Sequence, residues 1–198
     1  MKKVFALLLS SLAIIGGSYL ILFIISSLYS PKADHVPFLN DDRVISPDIE
    51  KYRPLFHKYA QAYDIEEYTD LLMAMAMQES KGKTPDVMQA SESLGLPKDT
   101  IEDPKESIKA GTHYFKRVMD KSGGDVHLAL QSYNFGIGFT NYVKQHGGQF
   151  NPGLAQRFSR LKAKELGWES YGDPNYVDRV MRYYHNEKRK HSSAQADR

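Results

Sequence analysis

"AMAMQESKGKTPDVMQASES", residues 74–93, changes character halfway along: an apolar run ends at Glu79 and a polar, turn-rich segment follows. Leu72, Met75, Ala76 and Gln78 or Glu79 recur at helical spacing, so a helix over about 66–78 is expected to carry Glu79 at the edge of its apolar face. Gly82 and Pro85 then turn the chain, and Asp86, Gln89, Ser91 and Glu92 follow within a few residues. An apolar setting disfavours a charged carboxylate and raises its pKa, which suits a group that must hold a proton near neutral pH. Cleavage of a glycosidic bond uses such an acid on the leaving oxygen, commonly with a second carboxylate nearby. Glu79 is therefore a candidate general acid and Asp86 its candidate partner. The competing reading has Glu79 as a solvated helix end and Asp86 as an Asx residue closing the turn.

Outward from this stretch the signals stay helical. Tyr52, Leu55, Phe56, Tyr59 and Tyr63 form one stripe, with Ser46 or Asp48 able to cap and Pro47 suited to an early position. Further helices are expected over 103–121 with Pro104 just inside, 125–133 behind the turn "SGGD", 138–146 and 152–166. A last helix begins at Asp173 and Pro174 and places Tyr176, Val177, Val180, Met181 and Tyr184 on one side. No alternating strand of useful length is visible, apart from room for a short hairpin in residues 82–92. The expected fold is all-α, α+β at most.

Residues 1–30 differ in kind. Lys2 and Lys3 precede residues 4–29, which carry no charge and are long enough to span a bilayer core of about 30 Å. A cleavable signal has a shorter apolar stretch and a small-x-small site, so a single-pass anchor is expected, with a long signal peptide as the alternative. Positive charge on the short N-terminal side places the domain outside the cell. Residues 31–47 contain three prolines and read as a stalk, residues 48–187 as the folded domain and 188–198 as a disordered basic tail.

Of 26 basic residues two are Lys2 and Lys3, which leaves the remainder balanced against 24 acids and argues against a nucleic-acid surface. The 198 residues, 41% hydrophobic, suffice for one domain with a core. There is no cysteine, so stability comes from packing without disulfides. His57, His113, His127, His146 and His185 lack metal-ligand spacing, so neither metal nor other cofactor is expected.

Four blocks in order carry a resemblance to the lysozyme-like superfamily, which contains goose-type lysozymes and lytic transglycosylases. They are Glu79-Ser80 with Met88-Gln89-Ala90-Ser91; Ile108, Gly111 and Tyr114 in a helix opened by proline; Ala129, Tyr133, Asn134 and Gly136; and the closing "YVDRVMRYY". The run Asp86, Met88, Gln89, Ser91, Glu92, Ser93 is similar to the muramidase branch found in two-domain, membrane-anchored cell-wall hydrolases of Gram-positive bacteria and their conjugative elements. Lytic transglycosylases have a Gly-Leu-Met-Gln arrangement where this chain has Asp86-Val87-Met88-Gln89, and the acid there bears on mechanism.

The resemblance implies cleavage of the β-1,4 bond between N-acetylmuramic acid and N-acetylglucosamine in peptidoglycan. Glu79 would be the acid, and Asp86 would hold a water or stabilise the transition state. A transglycosylase route forming anhydro ends, or a non-catalytic wall-binding module, are the alternatives. Ser80, Gln89, Ser91, Glu92, Tyr133, Asn134 and Tyr176 are expected along the sugar groove. Tyr133 would touch Glu79 or a sugar, Asn134 would shape its turn through left-handed backbone, and Trp168 and Tyr171 would stack on sugar or form rim or core. The two-domain relatives carry a peptidase for which this sequence leaves no room, so no peptide cleavage is expected. The expected partners are the glycan strands and the membrane through the N-terminal helix, with no nucleic acid; protein partners are left open by the sequence.

Overall fold

Pro54 decides where the first helix breaks. Proline has no N–H and its ring crowds the carbonyl four residues earlier, here that of Glu50. The stripe expected as one helix is accordingly split into α1 (Pro47–Glu50) and α2 (Arg53–Ala62). The structure, a computed structural model, describes residues 44–196, with side chains to residue 186. The apolar residues 4–29 and the linker up to residue 43 lie outside those. Among the described residues no helix is long and apolar enough to cross a membrane.

A 3-10 turn (Glu66–Tyr68) leads into α3 (Thr69–Glu79). The stretch 80–90 has no regular structure and ends in a second 3-10 turn (Ser91–Leu94). Then come α4 (Pro104–Lys121), α5 (Val126–Phe135), α6 (Gly138–Gln145), α7 (Pro152–Leu166) and α8 (Tyr176–Ala196). Three starts are fixed by side chains bonding otherwise orphaned backbone N–H groups: Asp103 accepts from Lys105, Asp125 from Leu128 and Asn151 from Leu154. α8 runs on to Ala196, so the polar stretch from Lys188, expected to be a disordered tail, continues a helix.

α3 is the centre of the domain. From Leu71 to Met77 every residue is buried, so this helix is covered on all sides rather than along one face as its spacing suggested. It packs most extensively against α8, while α4 packs on α2 and α5. Ile49, Phe56, Ile108, Phe115, Tyr176 and Val180 close around it in the main core. A smaller cluster of Phe135, Phe139, Val143, Leu154 and Phe158 joins α5, α6 and α7. Past this buried run α3 ends in Gln78 and Glu79, which are only partly covered, so the Glu79 carboxyl stands at the edge of the core.

No strand occurs among the described residues, and the hairpin expected in 82–92 is absent. Side chains, not ladder pairs, satisfy that backbone. Ser80 Oγ donates to the Val87 carbonyl at 2.7 Å and accepts from Gly82 N at 3.0 Å. Gly111 lets α4 approach this loop: a Cβ there would lie 2.6 Å from Met88 Sδ and 2.9 Å from the Tyr133 hydroxyl. Gly111→Ala should therefore cost about 1–3 kcal/mol, read as a lower urea midpoint at unchanged slope. An unchanged midpoint would mean that the contact relaxes without effect.

Candidate active site

Glu79 ends α3 and opens onto a cleft of about 560 Å³. One wall is the 89–98 segment, with Gln89, Glu92, Ser93 and Lys98; the other is Tyr133, Asn134, Phe135 and Gly136 together with Trp168, Tyr171 and Gly172. Burial pushes the Glu79 carboxyl up to about 7; the Tyr176 hydroxyl and the charge of Lys98 pull it down, while Asp86 and Asp173 push it further up. Tyr176, 1% exposed on α8, donates to Glu79 Oε1 at 2.6 Å. Burial and the nearby Glu79 charge hold the phenols of Tyr133 and Tyr176 well above their usual range, so both stay protonated donors. The result is a carboxyl group oriented by a phenol, half-titrated near neutrality, at the floor of an open groove.

Asp86 is 1% exposed and does not reach the cleft lining. Its Oδ1 accepts from Ala90 N at 2.8 Å and Ser107 Oγ at 2.6 Å; its Oδ2 accepts from Ser91 N at 3.1 Å and Ser91 Oγ at 2.6 Å. A carboxylate with both oxygens filled in this way organises a loop. Ser107 Oγ also accepts from Met88 N at 2.9 Å, and Tyr133 donates to the Met88 carbonyl at 2.9 Å. Ser91 Oγ accepts in turn from Thr100 N and Ile101 N, both at 3.1 Å. The 86–91 segment is thereby tied to α4, α5 and the 100–101 backbone.

Of the residues expected at the groove, Glu79, Gln89, Glu92, Tyr133 and Asn134 line the cleft. Ser80, Asp86, Ser91 and Tyr176 are not among the lining residues; Tyr176 bonds Glu79, the Asp86 carbonyl accepts from the Gln89 amide, and Ser80 and Ser91 bond the loop around Asp86. Gln89 holds a left-handed φ of 48° and its amide donates to Asp99 Oδ1 at 2.7 Å, which turns its backbone along the wall. Glu92 is exposed on the lip. The contact to Glu79 expected of Tyr133 is made by Tyr176 instead, because Tyr133 is drawn to Met88. Asn134 is helical, not left-handed; its Oδ1 accepts from Asp173 N at 2.7 Å and pins the loop before α8. Trp168 is 59% exposed and lies near-parallel to Tyr171, centroids 6.2 Å apart, on the cleft wall. Lys98 escaped the sequence reading: it sits in an irregular segment with no periodicity to place it.

The lysozyme-like family profile matches residues 46–195. The chain belongs to the lysozyme-like family. This lysozyme-like chain is 52% identical over 139 residues to the bifunctional muramidase/DL-endopeptidase CwlT of Bacillus subtilis, over 70% of the chain and 42% of that relative. It is 36% identical to the membrane protein YocA of the same organism, over 69% of the chain and 68% of YocA. A crystal structure of a protein similar to a lipoprotein of the NLP/P60 family, from Staphylococcus aureus, superimposes with a TM-score of 0.66 at 36% identity, covering 71% of this chain and 54% of that one. The match thus spans less than half the length of CwlT.

In Tyr176→Phe the Glu79 carboxyl loses its donor, so its pKa should rise further and the alkaline limb of any rate–pH profile should move up. One hydrogen bond's worth of orientation predicts a kcat about 3- to 10-fold lower. A profile unmoved by the change would remove Tyr176 from the tuning of the acid.

Proposed function

We propose that the domain cleaves peptidoglycan glycan strands at the β-1,4 bond between N-acetylmuramic acid and N-acetylglucosamine, with Glu79 as the acid. The observation that carries this is the raised proton affinity of Glu79, about 7, at the floor of an open cleft. At neutral pH a large fraction of such carboxyl groups holds the proton that the leaving oxygen must receive. The muramidase in the name of the CwlT relative agrees in kind. The endopeptidase in that name is said of that relative, of which the match covers 42%. Trp168 and Tyr171 offer a flat apolar face to a pyranose ring, and Gln89 and Asn134 set the two backbone walls.

In the hydrolytic course the C1–O bond breaks as Glu79 gives its proton to the departing oxygen. Water adds to C1, and its proton returns to Glu79. A second course is favoured by one observation: both Asp86 oxygens are taken by four donors, which leaves that carboxylate no acceptor to spend on a water. There the 6-hydroxyl of the muramic sugar attacks C1 of its own ring, its proton passes to Glu79, and an anhydro end results. A purely binding module has no use for a desolvated acid. We read residues 4–29 as a membrane tether that holds the domain on the wall side of the membrane.

The test is incubation of the purified chain with peptidoglycan and mass analysis of the released ends. Reducing ends mean hydrolysis and anhydro ends the internal course. No release over a range of pH would sink the enzymatic reading.

A further inference from the structure

Where the end of α3 meets α8 lies a pocket of about 370 Å³ lined by Gln78, Lys81, Arg179, Arg182 and Tyr183. Three of these side chains are cations, the other two carry neutral donors, and no carboxylate is among them. Asp173 offsets Arg179, with Oδ2 3.1 Å from the guanidinium Nε, and is not itself part of the pocket lining. Lys81 is held at a φ of 57°, where a side chain costs about 1 kcal/mol over glycine; what that position presents is a cation on the pocket wall.

The pocket and the cleft share their framework. Gln78 precedes Glu79 on α3, and Arg179 follows Tyr176 by one turn on α8. The backbone N–H of Asp173 is held by Asn134 of the cleft wall and its carboxylate by Arg179 of the pocket. The pocket is thus built on the same two helices, α3 and α8, that hold the Glu79 carboxyl and the Tyr176 phenol.

We infer that this pocket receives a free carboxylate of the peptide stem borne by the muramic sugar, an inference that rests on the glycan cleavage proposed above. The stem leaves the sugar through an amide and carries backbone and side-chain carboxylates, which paired guanidinium, ammonium and phenol donors match in sign and geometry. The domain therefore distinguishes strands that carry stems from strands stripped of them, by binding and not by chemistry.

The experiment compares the full chain with a Lys81→Gln, Arg182→Gln double variant on two substrates, peptide-bearing strands and strands freed of stems by an amidase. Loss of charge-assisted contacts should raise KM roughly tenfold on the first, with kcat unchanged, and leave the second unaffected. Equal changes on both substrates, or none, overturn the inference. Should the unaltered chain cleave neither, the cleavage reading fails, and the pocket is tested alone by titrating a soluble alanyl-glutamyl-lysyl stem peptide into both proteins. Binding that weakens about tenfold in the variant and vanishes for the amidated peptide supports the pocket. Unchanged binding by the variant, or binding only of a glycerol-phosphate polymer, overturns it.

Discussion

Glu79→Gln should abolish glycan release and, above neutral pH, make the domain more stable. Removing a general acid costs about 10²- to 10⁴-fold in rate. The stability effect follows from linkage. The carboxyl has a pKa of about 7 in the folded chain and 4.5 as its ordinary value when unfolded, so between those values the folded state binds more protons. Its contribution is fully present below about pH 4 and is lost as pH rises through 7, because the ionised group is then held in an apolar site. The interval corresponds to ~3 kcal/mol, an upper bound since the cleft side is open to water. Glutamine keeps the shape, still accepts from Tyr176 and carries no charge. Urea unfolding at pH 5 and pH 8 should show the variant gaining on the parent at the higher pH by about 1–3 kcal/mol. A stability difference identical at the two pH values would mean that Glu79 holds no unusual proton.

Asp86→Asn should be the most damaging conservative change in the domain. The carboxylate accepts from two backbone N–H groups and two hydroxyls, all in the interior. Asparagine replaces one acceptor oxygen by an NH₂ that faces donors, and a buried donor without its partner costs about 1–3 kcal/mol. The expected loss is about 3–5 kcal/mol, a large share of the 5–15 kcal/mol that holds a typical domain together. Asp86→Ala should leave little folded protein at 37 °C. Activity per folded molecule separates the two readings of this residue. If Asp86 only organises the loop, the folded fraction of Asp86→Asn keeps measurable Glu79-dependent cleavage. A well-folded but inert variant would return Asp86 to the chemistry.

The starts of α4, α5 and α8 were legible because they are local: an aspartate and often a proline stand at the boundary, and the bonds they make reach two or three residues. Glu79 was legible as the point where an apolar run meets a polar one. Asp86 was visible as an acid, but its duty was not, because Ser107 stands 21 residues away and nothing in the spacing links them. The same holds for the exchange of roles between Tyr133 and Tyr176. Both occur at helical positions, and only the packing of α8 on α3 decides which phenol meets the carboxyl. The hairpin failed for a different reason: the polar side chains of 80–91 that looked like turn formers bond the loop's own backbone and leave no edge to pair.

The bond between Tyr176 and Glu79 spans 97 residues and joins the middle of the chain to its final helix. A chain without its final helix would therefore contain Glu79 but not its surroundings. Without α8 packed on it, α3 would be wetted on that side and the burial that raises the Glu79 pKa would be lost. The proton affinity of Glu79 is thus a property of the completed fold and not of α3 alone.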